Sequence, residues 1–233
     1  MEGKSKQRHV AVFDIDGTIF RSSLLIELVD ALIAEGIFDR SAALVYARER
    51  QAWQDRKAEY SEYIGAVVFA FGEHIVGVDK REFDAVVERV IGLHKDRVYR
   101  YTRDLVKELA AKNYFLLAIS HSPKEVVDDF CRYLGFDKVY ARMYETDAQN
   151  KFTGDVPTEK LINDKGSILR RAVEKEGLTL EESYGVGDTS SDISFLEMVE
   201  HPICFNPSGN LYKYAKGVGW DVVVERKDVI YRI

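Results

Sequence analysis

The hydrophobic pattern begins with a strand and then turns helical. Residues 9–15 (His-Val-Ala-Val-Phe-Asp-Ile) form a short apolar run that predicts a buried strand, followed by an acidic residue and a glycine. Over residues 22–96 there is no clear strand signal. Apolar side chains there recur at helical spacing, as at Leu24, Leu28 and Leu32. This part of the chain is therefore predicted to be all-helical.

After about residue 97 the pattern alternates between helices and strands. Helices are predicted over 104–112, 122–134 and 164–176, and strands over 114–120, 139–144 and 183–186, with short strands near 153–154 and further elements up to 224. Strands that alternate with helices indicate a parallel sheet covered on both faces. The all-helical stretch is therefore interpreted as an insertion after the first strand.

Two of these helices carry signals for their ends. Ser122, Pro123 and Glu125 have the spacing of a capping box, with Ser122 as the N-cap and Pro123 at the first helical position. Gly135 follows this helix at the position typical of a C-cap glycine, and Gly177 ends the next predicted helix in the same way.

The composition narrows the class of protein. Of 233 residues, 46% are hydrophobic and 31% are charged, as is typical of soluble globular proteins. The net charge of −6 argues against a generic nucleic-acid binder. The longest apolar runs fall short of the roughly 20 residues that span a bilayer, and the polar start is unlike a secretory signal. We expect a cytoplasmic protein with no nucleic-acid or membrane partner.

Only two cysteines occur, Cys131 and Cys204. This number excludes a disulfide framework and a multi-cysteine zinc site. Both side chains are interpreted as small, buried hydrophobic groups rather than reactive thiols.

Polar residues gather where the predicted strands end. Asp14 and Asp16 follow the first strand, Ser120 ends the second, and the run Gly-Asp-Thr-Ser-Ser-Asp at 187–192 follows a later one. Open parallel sheets bind ligands at the carboxyl ends of their strands. Lys165 lies instead at the start of a predicted helix, from which it could point inward.

Together these side chains are suited to phosphoryl chemistry. Several carboxylates in one cleft repel one another unless a cation neutralises them, and Mg²⁺ binds a few carboxylates together with water and phosphate oxygens. Lys165 adds a positive charge and Ser120 a hydroxyl donor. Of Asp14 and Asp16, one can attack phosphorus while the other handles the proton of the leaving group.

Four motifs resemble those of the haloacid dehalogenase superfamily of aspartyl-phosphate phosphotransferases. They are AVFDIDGT, LLAIS, DKGSIL and YGVGDTSSD, and the resemblance covers nearly the whole chain. It implies an α/β fold, with a Rossmann-like core whose central parallel sheet is flanked by helices. It also implies two domains: a core made of residues 1–21 and 97–233, and an inserted all-helical cap of the C1 type made of residues 22–96.

The resemblance also implies roles for the acidic residues. Asp14 would be the nucleophile and a metal ligand. Asp16 would be the general acid and base, and would bind the metal through its backbone carbonyl. Asp188 would bind Mg²⁺, and Asp192 would support the residues around the metal.

Further residues are implied to hold the phosphate. Ser120 and Lys165 would bind it directly, and Lys165 would also offset the charge of the nucleophile. The amide of His121 would join them. Gly17 and Thr18 would also take part in phosphate binding, with Thr18 shaping the loop behind the nucleophile.

The last part of the chain, HPICFNPSGNLYKYAKGVGWDVV, resembles the phosphoserine-phosphatase-like group, subfamily IB. In phosphoserine phosphatases a glutamate nine residues after the nucleophile binds the substrate amine. That position is Ser23 here, and Glu27 is the nearest acid. An arginine that binds a substrate carboxylate would be Arg48, Arg50 or Arg56. Ser23, Glu27 and Arg56 are the candidate substrate-pocket residues.

The leading hypothesis is a Mg²⁺-dependent phosphomonoester hydrolase of a small phosphorylated metabolite, with phosphoserine as a candidate. It would act through an aspartyl-phosphate intermediate. One alternative is phosphotransfer to an acceptor other than water. Another is a catalytically silent relative that binds a metabolite.

Overall fold

The computed structural model describes residues 7–157 and 159–233, and within them one seven-stranded sheet. Its strands are β1 (His9–Phe13), β2 (Phe115–Pro123), β3 (Lys138–Arg142), β4 (Thr179–Gly187), β5 (His201–Phe205), β6 (Asp221–Arg226) and β7 (Val229–Arg232). Their order is β3-β2-β1-β4-β5-β6-β7. Strands β1 to β6 run parallel, which confirms the predicted α/β fold with a central parallel sheet.

Strand β7 was not predicted, and it pairs antiparallel with β6 at one edge of the sheet. It has four residues, three of them exposed. A short, exposed edge strand carries little hydrophobic periodicity, so its pattern gives a weak signal. The sheet is therefore mostly, not wholly, parallel.

Strand β1 lies inside the sheet, between β2 and β4, and is covered on both faces. Val10 and Val12 belong to one hydrophobic cluster, and Ala11 and Phe13 belong to the other. Successive side chains on a strand point to opposite faces, so this short apolar run contributes to both layers of the core. All four residues are fully buried.

Helices cover the two faces of the sheet. Between β1 and β2 lie α1 (Leu24–Ala34), α2 (Ala42–Val45), α3 (Ala47–Gln54), α4 (Tyr60–Ile75), α5 (Lys80–His94) and α6 (Arg100–Ala111). Further along the chain are α7 (Lys124–Leu134), α8 (Glu159–Ile162), α9 (Lys165–Glu176), α10 (Ile193–Leu196) and α11 (Gly209–Val218). None of these helices, in the part of the chain that the structure describes, is long and apolar enough to cross a membrane.

The predicted all-helical stretch of 22–96 is occupied by α1 to α5. Its hydrophobic cluster is continuous with the sheet, because Phe13, Phe20, Leu28 and Val86 belong to the same buried group. The division into a core and a cap domain stays a prediction.

The chain enters and leaves this helical stretch along two adjacent segments. Phe20 and Val98 form an antiparallel bridge, the Arg21 amide donates to the Arg97 carbonyl at 2.9 Å, and the Tyr99 amide donates to that of Ile19 at 3.0 Å. The first of these segments follows β1 closely, so α1 starts beside the carboxyl end of that strand.

The predicted capping box at Ser122 is wrong. Strand β2 continues through Pro123, which pairs with Arg142 of β3, and α7 begins only at Lys124. The backbone of Pro123 is extended, with φ −55° and ψ 138°. The Ser122 hydroxyl donates to Asp16 instead of capping the helix. The pairing of β2 with β3 thus overrides the local sequence signal for a helix start at Ser122.

The glycine helix ends are confirmed. Gly135 ends α7 with φ 82°, and Gly177 ends α9 with φ 62°. Both values lie in the left-handed region that glycine adopts without a steric penalty. Near Thr153 the described residues form an isolated bridge between Thr146 and Phe152 rather than the predicted short strands.

Candidate active site

Most of the predicted site residues meet at the carboxyl edge of the sheet. Asp14 directly follows β1, Ser120 and His121 lie near the end of β2, and Asp188 directly follows β4. Lys165 is the first residue of α9, and its side chain is buried despite its charge. The parallel arrangement of β1, β2 and β4 brings these segments together.

A buried lysine connects two of the carboxylates. The Lys165 ammonium donates to Asp14 Oδ1 at 2.6 Å and to Asp192 Oδ1 at 2.5 Å. Burial alone would lower the pKa of Lys165, but the charges of Asp14 and Asp192 outweigh it and raise that pKa. Lys165 is therefore charged at neutral pH, and it holds Asp14 in a defined orientation.

Asp192 supports the loop that carries Asp188. Its Oδ2 accepts the amides of Asp188 at 3.0 Å and Thr189 at 2.9 Å. A β-carbon on Gly187 would lie 2.5 Å from the β-carbon of Asp192, so only glycine fits there. Asp192 therefore fixes the backbone of the loop at 187–192 through one carboxylate oxygen, while its other oxygen accepts a hydrogen bond from Lys165.

The Asp16 side chain turns away from the lysine and accepts three hydrogen bonds. Its Oδ1 accepts the Leu24 amide at 2.6 Å, at the first turn of α1. Its Oδ2 accepts the hydroxyls of Ser120 at 2.7 Å and Ser122 at 2.9 Å. The carboxylate is therefore held on both oxygens.

Gly17 and Thr18 contact the loop that they belong to. The Gly17 amide donates to the carbonyls of Phe20 at 3.0 Å and Ser22 at 2.9 Å. Thr18 is fully buried, and its carbonyl accepts the Thr102 hydroxyl at 2.9 Å. These contacts support a loop-shaping role, while a direct part in phosphate binding stays a prediction.

Three carboxylates converge in a way that fits a hard divalent cation. Oxygen atoms of Asp14, Asp188 and Asp192 all lie within 4.8 Å of one another. Burial, with the charges of Asp192 and Asp16, raises the pKa of Asp14 to about 7 even though Lys165 acts against it. Burial and the charge of Asp14 also raise the pKa of Asp188 well above its usual value. A bound cation would relieve this repulsion, and Mg²⁺ prefers such carboxylate oxygens.

The carboxyl group of Asp16 does not belong to this convergent set. Its oxygens are engaged by Leu24, Ser120 and Ser122. Metal binding through its backbone carbonyl, as the resemblance implies, stays a prediction.

His121 is held neutral beside the site. Burial, and then the charges of Lys165 and Arg142, lower its pKa to about 4. Its side chain therefore carries no positive charge at neutral pH that could attract a phosphate. A contribution through its backbone amide stays a prediction.

The candidate substrate-pocket residues are dispersed. Ser23 is buried beside the hydroxyl of Tyr60. Glu27 instead forms ion pairs with Arg97 at 2.7 Å and His94 at 3.5 Å. Arg56 is exposed on the turn between α3 and α4, with φ 60°.

Two residues near the site were not singled out from the sequence. Ser122 was interpreted as a helix cap. Tyr60, the first residue of α4, has its pKa raised chiefly by burial and then by the charges of Asp16 and Asp188, which places its hydroxyl close to both carboxylates. Helical periodicity identifies the apolar face of α4, but not which of its aromatic residues meets the site.

Both cysteines are buried, as expected. Burial raises the pKa of Cys131 and of Cys204, so neither thiol is activated as a nucleophile.

Comparisons with known proteins agree with this arrangement. A family model described as haloacid dehalogenase-like hydrolase matches residues 11–197. A probable phosphatase of Mycobacterium tuberculosis is 25% identical over 240 residues, covering 97% of this chain and 79% of its own. A histidinol-phosphatase of Neisseria meningitidis is 23% identical over 228 residues, covering 93% of this chain and 98% of its own.

Solved structures share the fold. A phosphoserine phosphatase, solved as a phospho-aspartyl intermediate analogue, is similar with a TM-score of 0.63 and 21% identity over 96% of each chain. The family match spans most of the chain, from the first strand past the acidic loop. The chain belongs to the haloacid dehalogenase-like hydrolase family, and its fold is similar to that of phosphoserine phosphatases.

Proposed function

We propose that this protein hydrolyses the phosphate monoester of a small metabolite, with Mg²⁺, through an aspartyl-phosphate intermediate. The observation that carries the proposal is the contact between Lys165 and Asp14, set beside the separately held carboxylate of Asp16. One aspartate is oriented by a buried cation and the other by hydroxyl and amide donors. Family membership and the phosphatases among its relatives support the same reaction.

In the first step Asp14 acts as the nucleophile. Lys165 bonds to Oδ1, which leaves Oδ2 to form the new bond to phosphorus while the bond from phosphorus to the ester oxygen breaks. Asp16 enters this step in its protonated form and gives its proton to the departing oxygen. A phosphate monoester thereby becomes an alcohol and an acyl phosphate on Asp14.

In the second step Asp16 takes a proton from a water molecule. The resulting hydroxide attacks phosphorus, the bond between phosphorus and Asp14 breaks, and inorganic phosphate leaves. Asp16 is protonated again and Asp14 is free for the next cycle. Two steps with a good leaving group replace one difficult hydrolysis.

The convergent carboxylates would hold the metal. Asp14 and Asp188 would be its side-chain ligands, with the backbone carbonyl of Asp16, while Asp192 holds the loop that carries Asp188. A bound Mg²⁺ would offset the negative charge on the phosphoryl oxygens. Lys165 and the Ser120 hydroxyl would bind those oxygens from the protein side.

The relatives guide the choice of substrate. Their names include a histidinol-phosphatase and a phosphoserine phosphatase. Phosphoserine and histidinol phosphate are both primary phosphate esters of small amino alcohols, so we propose this class. Glu27 is already paired with Arg97 and His94, so amine recognition would differ from that of a phosphoserine phosphatase.

The protein's charge supports a small substrate rather than a nucleic acid. The chain has 39 acidic and 33 basic side chains. A surface with this balance offers no general attraction to a phosphate backbone.

The test is phosphate release from phosphoserine, histidinol phosphate and p-nitrophenyl phosphate, with Mg²⁺ or with excess chelator. We expect release that needs Mg²⁺ and that falls roughly 1,000-fold or more in Asp14→Asn. Asp129→Asn, which removes an ion-pair partner of Arg132, is the matched control and should behave as the wild type.

Three outcomes would contradict the proposal. Release that is equal in Asp14→Asn and in the wild type would remove Asp14 as the nucleophile. Binding of phosphate without turnover of any ester would indicate a silent binding protein. Product formation that depends on an added alcohol acceptor, at the expense of free phosphate, would indicate phosphotransfer instead.

A further inference from the structure

The side chain of Asp16 is bound by two serine hydroxyls on the same oxygen. Ser120 Oγ lies 2.7 Å and Ser122 Oγ 2.9 Å from Asp16 Oδ2. The opposite oxygen accepts the Leu24 amide. A carboxylate oxygen can accept two hydrogen bonds at once, so both hydroxyls bind Asp16 Oδ2 when no substrate is present.

The second donor to Asp16 is needed when Ser120 binds the substrate. A serine hydroxyl has one hydrogen to donate. In the proposed reaction Ser120 donates that hydrogen to a phosphoryl oxygen, so it can no longer donate to Asp16. The Ser122 amide donates to Ser120 Oγ at 3.0 Å, which lets the Ser120 oxygen stay in place while its hydrogen turns.

Ser122 is placed so that it can remain on Asp16. It is only 3% exposed and belongs to β2, whose next residue, Pro123, pairs with Arg142 of β3. Pairing with β3 at Ile119 and again at Pro123 holds the backbone on both sides of the irregular stretch that carries Ser122. A buried hydroxyl that lost this acceptor would be left unsatisfied, which is unfavourable.

We propose that Ser122 is a positioning residue, which keeps Asp16 aligned with the leaving-group oxygen when Ser120 turns to the phosphate. The inference rests on the proposed function. Ser122 acts through Asp16 and does not itself touch the substrate.

Leaving groups of different basicity test this role. An alkyl phosphate must have its leaving oxygen protonated, whereas p-nitrophenolate leaves readily as the anion. The value of kcat/KM reports phosphoryl transfer to Asp14, in which Asp16 gives its proton. For Ser122→Ala we expect kcat/KM to fall roughly 10- to 100-fold with an alkyl phosphate and less than about threefold with p-nitrophenyl phosphate.

Ser183→Ala is the matched control. Ser183 is also a fully buried strand serine, and its hydroxyl donates to the Leu180 carbonyl, away from the site residues. We expect this variant to lose stability without changing the ratio of the two kcat/KM values. A structure of the wild-type protein with inorganic phosphate should show Ser120 on the phosphate and Ser122 still on Asp16.

The outcomes separate this inference from the proposed function. If Ser122→Ala lowers both kcat/KM values equally, or neither, the positioning role is wrong although the hydrolase stands. A phosphate complex in which Ser122 has left Asp16 would also overturn it. If the wild type hydrolyses neither ester with Mg²⁺, the proposed function fails and the inference fails with it.

Discussion

Gly17 lies so close to Asp188 that a β-carbon on Gly17 would stand 2.2 Å from Asp188 Oδ2. Its φ of +82° also lies in the left-handed region that disfavours other residues. Gly17 therefore has two separate reasons to be glycine, one of backbone conformation and one of space beside a proposed metal ligand.

Replacing Gly17 with alanine should displace the Asp188 carboxylate. We expect Gly17→Ala to lose most Mg²⁺-dependent phosphate release and to weaken Mg²⁺ binding in calorimetry. Gly36→Ala is the control, because Gly36 has a similar φ of +76° with nothing within 4 Å of an added β-carbon. From the backbone conformation alone, both variants should lose about 1–2 kcal/mol of unfolding free energy, and the contact with Asp188 should add to the loss in Gly17→Ala. Equal Mg²⁺ affinity in the two variants would show that the contact with Asp188 is unimportant.

Removing the buried cation should affect both stability and turnover. In Lys165→Met, Asp14 and Asp192 would be left buried without their shared partner. We expect the free energy of unfolding to fall by about 3–5 kcal/mol and kcat to fall roughly 100-fold or more. Urea unfolding without metal measures the first and steady-state kinetics the second.

Lys80→Met provides the comparison. Lys80 pairs with Asp84 at 2.8 Å but is partly exposed, so its loss should cost less than about 1 kcal/mol. A stability loss of similar size in the two variants would show that the buried ion pairs of Lys165 stabilise the fold no more than a partly exposed pair does.

The raised pKa of Asp14 makes the metal-free protein sensitive to pH. Its pKa is about 7 in the folded protein and about 4 in an unfolded chain, so the folded state holds the extra proton between these values. The Asp14 contribution to stability is therefore lost as pH rises from about 4 to about 7. We expect Asp14→Asn, or saturating Mg²⁺, to flatten this part of a plot of unfolding free energy against pH.

His121 contributes in the opposite direction. Its pKa is lowered to about 4, so the unfolded chain takes up the proton first and stability is lost as pH falls from about 6.5 to about 4. His121→Gln should remove this loss. If Asp14→Asn and His121→Gln changed the slope of unfolding free energy against pH in the same sense, at least one of the two pKa shifts would have the wrong sign.

The positions of Asp14, Asp188 and Lys165 at one edge of the sheet were predictable because each residue is tied to a strong local signal. Asp14 and Asp188 follow apolar runs that form strands, and parallel strands end at one edge of the sheet. Lys165 follows Asp164, a helix cap whose side chain accepts the Ser167 amide. Local patterns of this kind determine where each residue lies on its element.

Contacts between distant segments were not predictable in this way. The local pattern made Ser122 a helix cap, but its acceptor, Asp16, lies 106 residues away. Glu27 is the acid nearest to the expected pocket position, yet Arg97, 70 residues along the chain, pairs with it. Such outcomes depend on which side chains the completed fold brings together, and hydrophobic periodicity carries no information on that.

Tyr60 is where the helices between β1 and β2 approach Asp16 and Asp188. It begins α4, its ring packs 5.4 Å from that of Trp53, and the charges of Asp16 and Asp188 act on its hydroxyl. A substrate whose phosphate lies on Ser120 and Lys165 would direct its leaving group toward this ring. We therefore expect the hydroxyl of Tyr60 to contact the leaving group rather than the phosphate.

Removing this hydroxyl should separate substrate recognition from phosphate binding. We expect Tyr60→Phe to raise KM about tenfold for an amino-alcohol phosphate, the effect of about one hydrogen bond. Inhibition by inorganic phosphate should be unchanged, because the phosphate contacts come from other residues. Tyr63→Phe is the control, since the Tyr63 ring stacks on Trp53 one helical turn further along α4, and it should keep the wild-type KM. A weaker inhibition by phosphate in Tyr60→Phe would place the hydroxyl on the phosphate instead.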